Sequence, residues 1–116
     1  MSPELALLLK QLRDKLHQAL GDDLLSLILY GSYARGEAHF DSDVDLLVVL
    51  RHLTPELDER VSEIAYKVMW DADFAYIFSL NVIDQAHQDL WKREDASFLR
   101  NVEQDGKVLY VLDSRL

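Results

Sequence analysis

The fold of this chain is decided by residues 28–49, which read ILYGSYARGEAHFDSDVDLLVV. They join two apolar runs, Leu24–Tyr30 and Val44–Leu50, through a polar segment. Near-continuous runs of Leu, Val and Ile are typical of strands that are covered on both faces of a sheet. The polar segment opens with Gly31, where we expect a short helix. This stretch therefore predicts a strand, a short helix and a second strand.

Two helix starts flank this stretch and share one pattern. Ser2-Pro3-Glu4 and Thr54-Pro55-Glu56 each place a capping hydroxyl before a proline at the first helical position. An acid then lies near the positive end of the helix dipole. The first helix is predicted to stop at Gly21 and the second to end near Trp70. The apolar stripe of the first consists of Leu5, Leu8, Leu9, Leu12, Leu16 and Leu20. That of the second consists of Leu57, Val61, Ile64, Ala65 and Val68.

The second half of the chain adds three further elements. Phe74–Val82 alternates aromatic and aliphatic side chains and predicts a third strand. A last helix is predicted over about Ala96–Gln104, with Gly106 as its stop, and Val108–Val111 predicts an edge strand. We therefore expect a single domain over residues 1–116 of the α/β (α+β) class, a small mixed β-sheet with packed helices.

Composition and charge exclude several classes of function. The 116 residues are 49% hydrophobic and 28% charged, which is typical of a globular domain rather than a disordered chain. The formal net charge of −9 argues against direct binding of nucleic acid, because phosphate binding needs clustered Lys and Arg. Cysteine is absent, so a thiolate nucleophile and a cysteine zinc site are excluded. No apolar run is long enough to cross a membrane and no basic leader segment opens the chain, so we expect a cytoplasmic protein.

Gly31-Ser32 and Asp43-Val44-Asp45 are the residues that indicate chemistry. Glycine lets the backbone approach a ligand closely, and a serine hydroxyl with free amides at a helix start suits phosphate oxygens. Asp43 and Asp45 are two residues apart, so a strand would place both carboxylates on one face. Two like charges so close are costly unless a cation lies between them, and Mg²⁺ accepts one or two carboxylates together with substrate phosphates. The pattern predicts a Mg²⁺-dependent phosphate site.

A third carboxylate is expected nearby if the site holds two metal ions. Asp73 opens the third predicted strand and can complete the cluster if that strand pairs beside the second one. Asp71 lies two residues earlier, and the sequence leaves the choice between them open. A calcium loop is rejected: Asp41-Ser42-Asp43-Val44-Asp45 imitates the start of an EF-hand, but Leu46 and His52 stand where that loop needs Gly and Glu.

The stretch GSYARGEAHFDSDVDLLVV resembles the signature of the polymerase-β-like nucleotidyltransferase superfamily, in which Gly-Ser is followed after ten residues by Asp-x-Asp. It looks most like the minimal nucleotidyltransferases, which are often the antitoxin half of a two-gene pair with a HEPN-domain ribonuclease toxin. The resemblance implies that Gly31 and Ser32 hold ATP, that Asp43 and Asp45 bind Mg²⁺, and that Asp73 acts as a metal ligand or base.

Two further residues of the motif are candidates for binding the nucleotide. Arg35 is a candidate for contact with the outer phosphates or with a partner, and a surface ion pair is an equal alternative. Ser42 is a candidate phosphate ligand, and a role in the turn before the strand is its equal alternative.

The resemblance leads to one functional hypothesis and two rivals. We expect transfer of AMP from ATP to a protein hydroxyl, with a tyrosine of a cognate HEPN toxin as the acceptor. The first rival is an antitoxin-like binding module that masks its partner by direct contact, because an acidic chain suits a partner that binds RNA through a basic groove. The second rival is a small-molecule nucleotidyltransferase of the aminoglycoside-modifying kind.

Overall fold

The computed structural model describes residues 1–39 and 41–112. Within these ranges, α-helices and β-strands alternate along the chain, which confirms the predicted α/β class. In chain order the elements are α1 (Pro3–Leu20), a 3₁₀ turn (Gly21–Asp23), β1 (Leu24–Tyr30), α2 (Gly31–Arg35), β2 (Val44–Leu50), α3 (Pro55–Asp71), β3 (Phe78–Asp84), α4 (Gln85–Arg93), α5 (Ser97–Asp105) and β4 (Lys107–Val111).

The strands form one mixed sheet in the order β3-β2-β1-β4. β1 pairs antiparallel with both β2 and β4, whereas β2 pairs parallel with β3. α3 connects the end of β2 to the start of β3, as a parallel pair requires. The two apolar runs that predicted buried strands are the two central strands, and β4 is an edge strand, as predicted.

Each face of the sheet carries its own hydrophobic core. On one face, Leu46 and Val48 of β2 pack in a cluster that includes the buried sides of α1 and α3. On the other face, Leu47 and Val49 pack against α5 and β3. Alternate residues of β2 therefore belong to different cores, and its only polar residue, Asp45, stands near the start of the strand.

Both predicted helix starts are confirmed. The Ser2 hydroxyl accepts a hydrogen bond from the Leu5 amide at 3.1 Å, and the Thr54 hydroxyl accepts one from the Leu57 amide at 3.1 Å. Caps of this kind contribute about 1 kcal/mol each. All six leucines predicted for the inner stripe of α1 are buried, and Gly21 ends that helix as predicted. Local signals were therefore sufficient for these two helices.

The third strand begins four residues later than predicted. β3 is Phe78–Asp84, whereas the alternation predicted Phe74–Val82. The prediction was wrong because apolar alternation does not distinguish a strand from a turn whose apolar side chains pack on a neighbouring helix. Pairing with β2 begins only where Phe78 lies beside Val44.

The residues before β3 form a turn that folds back onto α3. The amide of Asp73 donates to the Trp70 carbonyl at 3.0 Å, and the amide of Phe74 donates to the Met69 carbonyl at 2.9 Å. Asp73 and Phe74 have φ angles of 53° and 54°, a left-handed conformation that costs an L-residue roughly 1–2 kcal/mol. Asp73 therefore does not open a strand as predicted, because the last carbonyls of α3 capture the amides that a strand would use.

Helix α4 was not predicted from the sequence. Asp84 caps it by accepting hydrogen bonds from the His87 amide at 3.0 Å and the Leu53 amide at 3.3 Å, and these bonds hold the pKa of Asp84 below its usual value. No residue of α4 is buried, so it lacks the apolar stripe that revealed α1. α5 lies within one residue of its predicted bounds. Over the described ranges, no helix has the length and apolar character needed to cross a membrane.

Candidate active site

The candidate site lies where β1 ends and β2 begins. In the sheet register, Asp45 pairs with Tyr30 of β1 on one side and with Ser79 of β3 on the other. Paired residues point to the same face with their Cβ atoms roughly 5 Å apart, so these three side chains form a row across three strands. Asn81 follows Ser79 by two residues and lies on the same face. The sheet register thus surrounds one carboxylate with three polar side chains.

Asp43 and Asp45 lie close enough for their charges to interact. Burial raises the pKa of the Asp45 carboxyl above its usual value, the charge of Asp43 raises it further, and the charge of Arg35 acts in the opposite direction. Asp43 is exposed at the residue before β2, whereas Asp45 is half-buried. The pair is therefore open to solvent on one side, and its repulsion would be relieved by a cation that binds both carboxylates.

Gly31 brings the backbone of the preceding turn against this pair. It begins α2 directly after β1, with a φ of 76°, in the left-handed region that favours glycine. A Cβ atom at this position would collide with Oδ2 of Asp45, so a side chain cannot be accommodated without displacing the carboxylate. Ser32 follows and is half-buried. The Gly31-Ser32 turn and the carboxylates therefore belong to one site.

Tyr30 is a site residue that the sequence analysis missed. Its ring packs edge-on against Phe98, with ring centroids 5.3 Å apart. Burial raises the pKa of the Tyr30 phenol, the charge of Asp45 raises it further, and a side-chain hydrogen bond with Asn81 acts in the opposite direction. The phenol therefore stays neutral beside Asp45. Tyr30 is recognised as a neighbour of Asp45 only from the pairing register of β1 and β2, which cannot be deduced from the sequence.

Asp73 does not belong to the row of side chains around Asp45. It is exposed in the turn after α3, and the β3 position beside Asp45 is occupied by Ser79. Asp71, the other candidate, forms an ion pair with Lys67 at 2.7 Å. Among residues 1–39 and 41–112, no group of three or more His, Asp or Glu side chains is arranged to hold a metal ion. The predicted convergence of three aspartates is therefore wrong, and the described site offers two carboxylates.

Arg35 and Ser42, the other predicted nucleotide-binding residues, each contact a neighbour in the motif loop. Nε of Arg35 lies 3.2 Å from Oε2 of Glu37, an exposed ion pair of the kind that contributes little to stability. The Ser42 hydroxyl accepts a hydrogen bond from the His39 amide at 2.9 Å. Ser42 thus has the turn contact that was its alternative role, while the guanidinium of Arg35 remains near enough to affect Asp45.

The donor set fits one hard divalent cation. Mg²⁺ binds proteins through one or two carboxylates and takes its remaining ligands from water and substrate phosphates. Asp43 and Asp45 supply two carboxylates. Burial raises the pKa of Asp45 and the charge of Asp43 raises it further, so a cation bound to both carboxylates would relieve their repulsion. Ser79 and Asn81 are neutral, so the row has no third anionic ligand for a second ion.

Comparison with known proteins identifies the family. The chain belongs to the nucleotidyltransferase domain family, which matches residues 9–111. Two Methanocaldococcus jannaschii proteins, each named "putative protein adenylyltransferase", are 42% identical over 77 residues and 34% identical over 85 residues. These matches cover 65% and 72% of this chain, and 49% and 76% of the two relatives. The chain thus spans about half the length of the first relative and three quarters of the second.

A longer enzyme is also similar in sequence, and two solved structures share the fold. A Pseudoalteromonas translucida bifunctional uridylyltransferase/uridylyl-removing enzyme is 37% identical over 75 residues, which are 64% of this chain and 8% of that enzyme. A crystal structure of a toxin–antitoxin with AMP-PNP matches at a TM-score of 0.54 and 23% identity, over 90% of this chain and 74% of that chain. A crystal structure from Sulfolobus solfataricus matches at a TM-score of 0.53 and 17% identity, over 92% of this chain and 80% of that chain. These likenesses confirm the predicted nucleotidyltransferase fold.

Gly31→Ala is expected to disable the site, because the added methyl group would collide with the Asp45 carboxylate. Gly36 provides a matched control: its φ is also left-handed, at 73°, but nothing lies within 4 Å of the place where a Cβ atom would stand. Gly36→Ala therefore reports backbone strain alone. Isothermal titration calorimetry should show Mg²⁺–ATP binding weakened by roughly tenfold or more in Gly31→Ala and little changed in Gly36→Ala. Equal binding by both variants would contradict the close approach.

Asp45→Asn is expected to stabilise the metal-free protein at neutral pH. Burial and the charge of Asp43 raise the pKa of Asp45, so the folded state disfavours the charged carboxylate. The stability of the wild-type protein therefore falls as the pH rises from the ordinary pKa of aspartate to above the raised pKa of Asp45. The gain in Tm over wild type should be full near pH 7 and vanish below about pH 4, where Asp45 is protonated. Added Mg²⁺ should raise the Tm of wild type more than that of the variant.

The control for this measurement is Asp41→Asn, which removes one negative charge from an exposed position in the same loop. It should leave both the metal-free Tm and the response to Mg²⁺ close to wild type. A metal-free Asp45→Asn protein that melts below wild type at neutral pH would show that the carboxylate is not under repulsion.

Proposed function

We propose that this chain transfers AMP from ATP to a hydroxyl group of a partner protein, with Mg²⁺ as its metal ion. The observation that carries this proposal is the position of Gly31 against the paired carboxylates of Asp43 and Asp45. A phosphate-binding turn and a cation-binding pair then act on the same triphosphate. The two relatives with adenylyltransferase names support AMP as the transferred group and a protein as the acceptor.

Each residue of the site has a distinct role in the proposed nucleotidyl transfer. Gly31 lets the backbone approach the phosphates, and the Ser32 hydroxyl donates to a phosphate oxygen. Mg²⁺, held by Asp43 and Asp45, would neutralise the charge of the triphosphate. The acceptor oxygen attacks the α-phosphorus and forms a new P–O bond, while the bond to the bridging oxygen breaks. Pyrophosphate leaves with the electron pair of that bond.

The neutral neighbours of Asp45 favour a tyrosine as the acceptor. Ser79 stands where a third carboxylate could have taken the proton of the acceptor hydroxyl. A phenol ionises near pH 10, so it releases a proton to water far more readily than the hydroxyl of serine or threonine. We therefore propose a tyrosine of a HEPN-domain toxin as the acceptor, with this chain as the cytoplasmic antitoxin. The toxin–antitoxin structure with AMP-PNP, which has a similar fold, supports the antitoxin role and an adenine nucleotide as substrate, and the HEPN tyrosine follows from the family resemblance.

The same neutral neighbours support one alternative function. A site with two carboxylates can hold Mg²⁺ and ATP without transferring AMP at a useful rate. The chain would then act as a binding module that masks its toxin by contact, and its net charge of −9 suits a partner with a basic RNA-binding groove. Neutralisation of the toxin that needs no covalent change distinguishes this alternative from transfer.

Transfer is tested with ATP labelled at the α-phosphate, Mg²⁺ and a HEPN-domain toxin as the candidate acceptor protein. We expect the label on a partner tyrosine, identified by mass spectrometry. Asp43→Ala and Asp45→Ala should each lower labelling by roughly a hundredfold or more, since each removes a carboxylate of the cation pair. Asp41→Ala, in the same exposed loop, should label at the wild-type rate. Toxin neutralisation that survives both site substitutions without any label would overturn transfer in favour of masking.

Ser79→Asp is expected to create a second metal site, because it places a third carboxylate in the row beside Asp45. Mn²⁺ titration followed by calorimetry should show about two ions per chain instead of about one. The metal-free Tm should fall, since the added charge lies against existing negative charge. Ser62→Asp adds the same charge on the exposed surface of α3 and should leave the stoichiometry unchanged. Identical Mn²⁺ binding by the two variants would show that the row is not a metal site.

A further inference from the structure

An exposed aromatic cluster, formed by Tyr66, Trp70 and Phe74, lies at the end of α3. These side chains are 53%, 58% and 39% exposed. Their ring centroids are 6.1 Å apart for Tyr66 and Trp70, 5.6 Å for Tyr66 and Phe74, and 6.0 Å for Trp70 and Phe74. Aromatic residues are enriched in protein–protein interfaces, and a contiguous exposed group of them marks such a surface more often than isolated ones do.

Backbone hydrogen bonds to α3 hold Phe74 in the aromatic cluster despite its strained conformation. Asp73 and Phe74 are successive non-glycine residues with left-handed φ angles, and a bulky residue such as Phe rarely adopts that conformation. Such strain persists only where surrounding contacts maintain it, and it gathers at functional positions. Here the two amides donate to the carbonyls of Trp70 and Met69. The cluster is therefore ordered before any partner binds, which lowers the entropy that binding must overcome.

The aromatic cluster lies at the same end of the molecule as the candidate active site. Met69, the residue before Trp70, accepts a hydrogen bond at Sδ from the Phe78 amide at 3.3 Å. Phe78 pairs in the sheet with Val44, which stands between the two site carboxylates. The cluster and Asp45 lie on opposite faces of the sheet, because α3 packs on the face of Leu46 whereas Asp45 shares the face of Leu47. Since β3 is an edge strand, a protein bound to the cluster would reach the site by passing around the start of β3.

The charge at the end of the aromatic cluster is negative. Asp71 and Asp73 flank its end, and Asp43 lies across the start of β3. Lys67 and Asp71 are paired at 2.7 Å, so their two charges largely cancel, and the negative charge near the cluster comes from Asp73 and Asp43 in a chain of net charge −9. Acidic groups repel nucleic acid and anionic membranes and attract protein surfaces rich in Lys and Arg. Arginine also stacks on Trp and Tyr rings. The chemistry of this surface therefore favours a basic protein partner.

We propose that the aromatic cluster is the docking surface for the acceptor protein, whose contact surface is basic and carries an arginine or an aliphatic side chain at its centre. This inference rests on the proposed transfer of AMP and names the part of the chain that recognises the acceptor. Docking through the cluster leaves the carboxylates and the Gly31-Ser32 turn accessible to ATP. Recognition of the acceptor and binding of the nucleotide then depend on different residues.

The test uses the same HEPN-domain protein as the probe and compares wild type with Trp70→Ser and Val108→Ser. Val108 is 62% exposed on the opposite edge strand, β4, so its substitution controls for the loss of an exposed apolar side chain. We expect Trp70→Ser to weaken binding of the partner, and to raise the KM for it, by roughly tenfold or more. ATP affinity and the maximal transfer rate should stay near wild type. Tyr66→Ser provides a second variant of the cluster should Trp70→Ser fold poorly.

Each remaining outcome has a distinct meaning. If wild type transfers AMP normally and both Trp70→Ser and Tyr66→Ser bind the partner with unchanged affinity, the proposed docking surface is wrong. The proposed function is not affected by that result. Absence of label on the partner with wild type overturns the proposed function itself. A wild-type dimer in light scattering that Trp70→Ser converts to a monomer shows that a second copy of this chain occupies the cluster, which also overturns the proposal. Partner affinity that does not fall with added salt contradicts the basic surface.

Discussion

The repulsion between two carboxylates at the start of a buried strand is the constraint on which the site depends. From Leu46 onward every side chain of β2 is buried, so the strand cannot shift or turn to move Asp45 away from Asp43. Gly31, directly after the adjacent strand, has no side chain, and the Asp45 carboxylate occupies the place where its Cβ atom would stand. The protein thus holds negative charge in a rigid position, and a rigid first set of ligands is what cation binding requires.

The neighbours of this carboxylate pair are suited to binding ligands but not to activating an acceptor. Tyr30, Ser79 and Asn81 surround Asp45 with neutral groups, so in the proposed function the cation and the triphosphate would depend on the two aspartates. Activation of the acceptor then depends largely on the chemistry of the acceptor itself. In the proposed transfer, a chain that binds ATP in this way would favour acceptors that ionise easily, and the partner would supply the acidity of the attacking hydroxyl.

Local signals in the sequence were enough for most of the fold and for half of the site. A few neighbouring residues were sufficient to predict the helix caps, the leucine stripe of α1 and the two central strands. The same is true of the spacing between Gly31-Ser32 and Asp43-Val44-Asp45. The start of β3 was misplaced because the amides of Asp73 and Phe74 are captured by α3, a contact that alternation does not encode. Tyr30 and Ser79 were missed as neighbours of Asp45 because strand register is a long-range property.

The alternation of β2 between two hydrophobic cores has a consequence for how ligand binding spreads through the molecule. Leu46 and Val48 belong to the core beneath α1 and α3, whereas Leu47 and Val49 belong to the core beneath α5. Neither layer of helices can therefore melt without disturbing the strand that carries Asp45. A cation bound at the start of this strand would resist partial opening of either layer, so binding at one edge of the sheet would make unfolding of the whole domain more cooperative.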